Sequence, residues 1–429
     1  FDSRSPIVYD KTLNKNRWLI NTDPSTNFNS IKGTVQPFVA DVGAVFEDDQ
    51  YFYICSSSYP SKNILVDTEY SVNLLDQKSL KLIRKTPTTT TEVYETSNRD
   101  VGIFINGVPA LGYKSEESIK FGAIESITVE SRGFSYENPP YVLVNEQPNK
   151  ARASLNGSTI GDIEILTTEN FDDDPLIRIT SGENAILSPV VTAGAITSID
   201  IVNAGRYYSS PPIIRIVDTL GKGNFAEFIA LIDSDGSITE VRKISSGRFY
   251  TRGYTSVVVE SVGKFATASS KIKRWVFNRY EQVKNNIDSD NGTVLTNYNP
   301  VRDYGYAYVA NPVVVRKKAY ASQSLFNANR FTGTKHSPII GYAYDGNPIY
   351  GPFGYSDPVD SNSSISRISS GYVLQGSRPN GPDTGKYPLG SFIDDYKWVP
   401  STNSGKTELD QNNGRFCVTP DYPNGTYAY

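Results

Sequence analysis

Apolar residues in the first third of the chain come in short runs, some alternating with polar residues and some wholly apolar. Examples are Tyr51 to Cys55 (YFYIC), Ser79 to Lys85 (SLKLIRK) and Val101 to Tyr113 (VGIFINGVPALGY). Alternation places successive side chains on opposite faces of a strand, and short apolar runs bounded by turn residues suit a buried one, so these runs predict strands rather than helices. In the last run, Asn106-Gly107 separates two apolar segments and predicts a hairpin, because both residue types tolerate positive φ. The run Thr86 to Glu95 (TPTTTTEVYE) adds β-branched residues suited to an extended, partly exposed strand.

From residue 121 to 272 the pattern repeats. SITVESRGFSYENPPYVLV starts at Ser126, GDIEILTTENFDDDPLIRI at Gly161, TSIDIVNAGRYYSSPPIIRIV at Thr197 and TEVRKISSGRFYTRGYTSVVV at Thr239. Each copy reads as strand, Gly or polar turn, aromatic, then turn residues and a second strand, with Gly133, Asn170, Gly205 and Gly247 as equivalent turn positions. Strands such as Lys150 to Leu155, Asn224 to Ile232 and Lys264 to Ile272 follow in several copies. About four such units cannot each bury a face alone, so copies must stack or pair into an elongated module.

A connector spans 273–335. Trp275, Val276, Tyr280 and Val283 have the spacing of a short amphipathic helix, ended by Asn291-Gly292, and Asp303 to Val315 returns to extended structure. The chain thus divides into an N-terminal β domain at 1–120, tandem repeats at 121–272, the connector, and a C-terminal β domain at 336–429.

Composition sharpens this picture. With 29 Tyr, 33 Gly and 25 Pro in 429 residues, the chain reads as turn-rich β structure in about three domains, not a helical bundle. A net charge of −4 offers no field that gathers phosphates, which excludes nucleic acid as the expected partner. No run approaches the roughly 20 consecutive apolar residues of a membrane helix, so no membrane insertion is expected. The start at Phe1 and the end within an alternating TYAY segment read as part of a longer polypeptide. Cys55 and Cys417 lie far apart, which excludes a disulfide framework and leaves two small buried hydrophobes.

Candidate chemistry is sparse. His336, Asp345 and Asp357 are the one group that offers a metal or acid/base constellation, against the plainer reading of Asp345-Gly346-Asn347-Pro348 as a turn. Asp172 to Asp174, and Asp288, Asp290 and Asn291, offer oxygen ligands for calcium but lack the ordered spacing of an EF-hand, and read as turn carboxylates. There is no GxSxG, P-loop or HExxH, and a single His leaves no spare base for a triad. No enzyme, catalytic residue, cofactor or metal is therefore expected. Tyr342, Tyr344, Tyr350 and Tyr355 are candidate surface-recognition residues, since tyrosine presents flat amphipathic faces to a sugar or protein receptor; the alternative is that they pack against one another.

Two segments carry a resemblance. HSPIIGYAYDGNPIYGPFGY, from His336 to Tyr355, and LDQNNGRFCVTPDYPNGTYAY, from Leu409 to Tyr429, together resemble the YHYH-domain family of bacterial and phage structural proteins, over roughly the last hundred residues. Where that family's name-giving motif has Tyr-His-Tyr, this chain has Tyr427-Ala428-Tyr429. The Gly, Tyr and double-Pro repeat is similar to repeats in virion structural proteins of contractile-tailed cyanophages. The resemblance implies a mainly β, multi-domain, elongated protein of a phage tail or tail fibre, located in the virion. It further implies partners among other copies of itself, with a homotrimer by fibre analogy, other tail proteins, and a host surface glycan or protein. The alternatives are a secreted bacterial surface adhesin or extracellular filament subunit, and a carbohydrate-active enzyme of a fibre tip.

Overall fold

The computed structural model describes residues 5–23, 28–29, 34–35, 39–60, 76–87, 95–295, 305–320, 335–400 and 406–429. Most of the Thr86 to Glu95 run lies outside the described residues. Strands dominate, and the α-helices among the described residues are Arg279–Val283 and Val313–Ala319. The chain forms two compact units: Phe1–Ser118 with Trp275–Pro379 and Asp383–Tyr429, and Ile119–Arg274 with Asn380–Pro382. Segments that the sequence reading separates, the N-terminal third, the connector and the C-terminal region, therefore contribute to one unit.

That larger unit is organised by a six-stranded sheet in the order Gly292–Leu295, Gly305–Tyr308, Pro109–Leu111, Asp100–Phe104, Ile339–Ala343, Pro348–Tyr350. The predicted hairpin is there, closed by Phe104 N–H donating to the Val108 carbonyl at 3.0 Å. Only Gly107 of the Asn106-Gly107 pair takes positive φ, at 75°, because the loop has three residues and needs one left-handed position at its end. Ala343 to Asn347 makes the same loop, with Gly346 at φ 94° and Ala343 N–H donating to the Asn347 carbonyl at 2.9 Å.

The likeness between these hairpins extends further. Gly102, Asn106, Gly107 and Pro109 recur as Gly341, Asp345, Gly346 and Pro348. The central strands pair antiparallel with Ile103 opposite its counterpart Tyr342, and Ile105 N–H to Ile340 O (2.9 Å) is mirrored by Tyr344 N–H to Val101 O (3.1 Å). A second motif is duplicated with it. Asp288 Oδ1 accepts from the backbone of Asp290 (2.8 Å) and Gly292 (3.1 Å), as Asp410 Oδ1 accepts from Asn412 (2.8 Å) and Gly414 (3.2 Å). Tyr306 donates to Asp288 at 2.7 Å and Tyr427 to Asp410 at 3.0 Å, each from the first tyrosine of a Tyr-Ala-Tyr strand. The second tyrosines, Tyr308 and Tyr429, meet Asn106 and Asp345, the equivalent loop residues, at 3.2 and 2.7 Å. The unit thus contains two copies of one hairpin-plus-strand motif, related by a pseudo-two-fold axis at the Ile103–Tyr342 pair.

Trp18, Tyr59, Tyr306, Tyr308 and Tyr342 are fully buried in this unit. Arg17 is buried beside Asp421 (2.6 Å) and Asp10 (3.5 Å), and Arg378 makes two bonds of 2.6 Å to Asp395. The helix expected from Trp275 onward is shorter: Trp275 and Val276 continue the strand Lys264–Asn278, and the Asn278 side chain accepts from Tyr280 N–H at 3.1 Å to start the helix Arg279–Val283. Asparagine is a favoured cap because its side-chain oxygen takes an orphan backbone donor. The extended reading of Val313 to Val315 is corrected to helix Val313–Ala319, which begins after Pro312 and offers its Val314 N–H to the Asp290 carboxylate.

The smaller unit holds two four-stranded sheets. Their orders are Thr159–Ile165, Gln147–Asn156, Tyr141–Val144, Ile177–Thr180, and Ile238–Arg248, Asn224–Ile232, Ile213–Asp218, Thr255–Glu260. Two ribbons join them, Lys114–Phe134 with Lys264–Asn278 and Glu183–Thr192 with Ala195–Arg206. Its recurring device is a tyrosine wedged between glycines. A Cβ on Gly133 or Gly263 would strike the Tyr136 ring at 2.9 or 2.2 Å. The same holds for Gly205 and Gly182 around Tyr208, and for Gly247 and Gly223 around Tyr250. Asn170, aligned by sequence as a fourth turn, is followed by Phe171 and three aspartates and has no such wedge. Instead Lys120 bridges Asp173 (2.7 Å) and Asp174 (2.6 Å), and Asp174 also accepts from Ile272 N–H at 2.9 Å.

A candidate binding cavity and exposed aromatic corners

In the larger unit, the strands Ile339–Ala343, Phe353–Tyr355, Arg415–Cys417 and Thr426–Ala428 surround a cavity of about 340 Å³. Phe104, Ile340, Ile349, Phe353, Ile368 and Leu409 give it apolar walls. Its polar lining includes His336, Arg415, Tyr350 and Tyr429. Such a mix of apolar wall and few polar groups is what small-molecule sites share.

The His336 Nδ1 lies 2.7 Å from the Ser337 carbonyl, which only accepts, so Nδ1 carries the proton and Nε2 keeps its lone pair. Burial holds its pKa down at about 4, and the neighbouring Arg415 acts in the same direction. Tyr350 and Tyr355 flank the ring, with centroids at 5.1 and 5.0 Å. Arg415 donates from Nη1 to the Lys406 carbonyl (2.7 Å) and from Nη2 to the Tyr355 carbonyl (3.0 Å). Among the described residues no carboxylate lies within ion-pair distance of it, and burial lowers its pKa. Burial also raises the Cys417 thiol pKa, against the opposing pull of Arg415.

Gly354 sits between these two groups. A Cβ there would lie 2.7 Å from Arg415 Nη2 and 3.5 Å from His336 Nε2.

The four tyrosines expected at the surface are corrected by this geometry. Tyr342 is fully buried, because its strand is central in the sheet, and its hydroxyl donates to the Pro6 carbonyl at 3.0 Å. Tyr344 is half-buried and donates to Asp100 at 2.5 Å. Tyr350 lines the cavity, with its hydroxyl 2.8 Å from that of Thr419, and Tyr355 packs on His336. They form no common exposed platform. His336, Asp345 and Asp357 are likewise separate: Asp345 accepts from Tyr429, while Asp357 pairs with Lys406. Among the described residues no group of three His, Cys, Asp or Glu side chains is placed to hold a metal. Asp288 and Asp290 are committed to Tyr306 and Tyr308.

The sequence reading missed a set of aromatic corners in the smaller unit. Phe225 and Phe265 are 70% exposed and Phe249 is 61% exposed, and all three have positive φ (62°, 68° and 66°). Bulky side chains rarely adopt that conformation. The Arg248 guanidinium lies 5.2 Å from the Phe225 ring and 5.4 Å from Phe249; Arg206 lies 4.9 Å from Tyr207, whose φ is 64°. Phe134 meets Phe265 at 5.5 Å. Each corner sits beside a wedged tyrosine, and the recurring Gly-x-x-Tyr spacing was the signal that marks it.

The family model described as YHYH protein matches residues 248–429, so the chain carries a YHYH domain there. The match begins well before the roughly one hundred C-terminal residues on which the resemblance was read. No curated protein and no solved structure matches the chain.

Proposed function

We propose that this chain is a structural component of a phage virion, of the tail or tail fibre, which assembles with further copies of itself and contacts other tail proteins or a host surface glycan or protein. The observation that carries the reading is the set of aromatic corners on the repeat unit. Phe225, Phe249 and Phe265 are held outward at a backbone conformation that costs on the order of 1 kcal/mol or more each, which is retained where the exposed ring has a task. Exposed aromatics beside arginine are the residues that anchor interfaces. The resemblance of the YHYH domain and of the Gly-Tyr repeat to phage structural proteins supports a virion as the setting of that interface. The chemistry is mechanical and adhesive, not catalytic.

Two measurements test it. Electron microscopy of the native assembly with antibody against this chain is expected to label a phage tail or fibre; label on cell-surface filaments without a capsid would replace the reading with a bacterial adhesin or filament subunit. Light scattering of the purified protein is expected to show a homotrimer, which Phe225→Ser with Phe249→Ser weakens.

A further inference from the structure

We infer that the cavity around Gly354 is a binding site for a small hydroxy acid with an apolar body. The argument rests on its two polar groups, which are complementary in kind. Arg415 brings a guanidinium with no carboxylate within ion-pair distance among the described residues: Asp357 acts on it only from longer range, and its N–H donors engage the carbonyls of Lys406 and Tyr355 and the Cys417 sulfur without using all five. A carboxylate completes it, because charge-assisted bonds of this kind are short and strong. His336 brings the opposite need. Its Nδ1 proton is held by the Ser337 carbonyl, so Nε2 faces outward as an acceptor and has no hydrogen-bond partner among the described residues. A hydroxyl donates to such a nitrogen, whereas a second carboxylate oxygen is repelled by its lone pair.

Gly354 sets the spacing. Both nitrogens lie within 3.5 Å of the point where a Cβ on this residue would sit, so a hydroxyl and a carboxylate on adjacent carbons reach both at once. The glycine is not needed for backbone freedom, since its φ lies outside the left-handed region. Its role is to let the Arg415 guanidinium approach the backbone closely, where a Cβ would push it aside. Much of the remaining wall is apolar, with Phe353, Ile349 and Ile368, and the hydroxyls of Tyr350 and Tyr429 are engaged with Thr419 and Asp345, so it favours a hydrocarbon or aromatic body over a polyhydroxylated one. This inference does not depend on where the chain is assembled and goes beyond the structural role.

The test uses the full chain and three probes of equal shape: mandelate, phenylacetate, which lacks the hydroxyl, and mandelamide, which lacks the charge. Calorimetry reads affinity, and the proton resonances of His336, the single histidine, report occupancy directly. Mandelate is expected to move those resonances and to bind at least tenfold more tightly than either control. Gly354→Ala, whose methyl displaces the guanidinium, and Arg415→Gln are each expected to abolish the shift. If the three probes bind alike, or if none moves the His336 resonances while circular dichroism shows the native fold, the inference is overturned. The probe comparison on the unaltered chain stands even if the Arg415 variant fails to fold.

Discussion

Burial of the one imidazole makes His336 a clean titration probe. Its folded pKa, about 4, lies below the ordinary 6.5, so between those values the unfolded chain binds the proton and the folded chain does not. Stability therefore rises with pH across this window: the contribution is complete above about 6.5 and is lost as pH falls toward 4, amounting to about 3 kcal/mol in all. Urea melts at pH 7 and pH 5 are expected to differ by more in the native protein than in His336→Phe, and equal differences would contradict the burial argument. Arg378 and Asp395 present the opposite case, a charge pair buried almost completely, with Asp395 also accepting from the N–H groups of Gly390 and Phe392 at 2.9 and 3.0 Å. Asp395→Asn leaves the guanidinium uncompensated and is expected to cost about 3–5 kcal/mol, read as a lowered urea midpoint. A loss below 1 kcal/mol would mean that the pair is hydrated.

The tyrosine wedge decides the elements of the smaller unit. Gly205 has φ 67°, and a Cβ there would lie 2.6 Å from the Glu183 carbonyl and 2.7 Å from the Tyr208 ring. Gly205→Ala is thus strained by both backbone and contact and is expected to destabilise the unit by more than about 1 kcal/mol, checked by thermal melts. The aromatic corners predict the reverse sign. Phe225→Asn replaces a ring that is 70% exposed at φ 62° with a residue tolerant of that conformation. It is expected to raise stability by a few tenths to about 1 kcal/mol while weakening self-association, the trade-off of a site kept for function. If Phe225→Asn destabilises the protein, the ring is part of the fold and not an interface.

At the scale of the whole molecule, one unit is inserted into another. The chain leaves the larger unit at Ser118 and returns at Trp275, through two strands that pair with each other, Lys114–Phe134 and Lys264–Asn278. A Cβ on Gly122 would lie 3.8 Å from that of Lys273, so the two crossing points are neighbours, as tolerated domain insertions require. The smaller unit has its own cores, around Ile124, Val144, Ile160 and Ile272 and around Leu187, Ile196, Ile199 and Phe228. A chain of residues 119–274 is therefore expected to fold alone, with dispersed amide resonances and cooperative melting. A collapsed, non-cooperative product would show that the cores are incomplete without the larger unit.

What the sequence determined by itself is local. The apolar run at Tyr51 to Cys55 and the alternation at Ser79 to Lys85 became the strands Tyr51–Ser56 and Ser79–Arg84, and Asn106-Gly107 became a hairpin, because strand patterning and a left-handed glycine act within a few residues. The mainly β class was legible for the same reason, and the YHYH domain through the resemblance of the segments His336 to Tyr355 and Leu409 to Tyr429 to that family. The likeness of Asp288-to-Tyr308 and Asp410-to-Tyr429 was also written in the sequence, but hidden by unequal spacing from the hairpins that precede them. The tertiary structure alone decided which tyrosines are surface and which are core. Tyr342 is buried because Ile103, far away in the chain, supplies the neighbouring strand, and Tyr350 lines a cavity whose walls also come from Phe104 and from the C-terminal strands. The depressed His336 pKa, and the lack of a carboxylate within ion-pair distance of Arg415 among the described residues, belong to the same level. Burial and charge partnership depend on contacts across distant segments, and a linear pattern carries no distance between them.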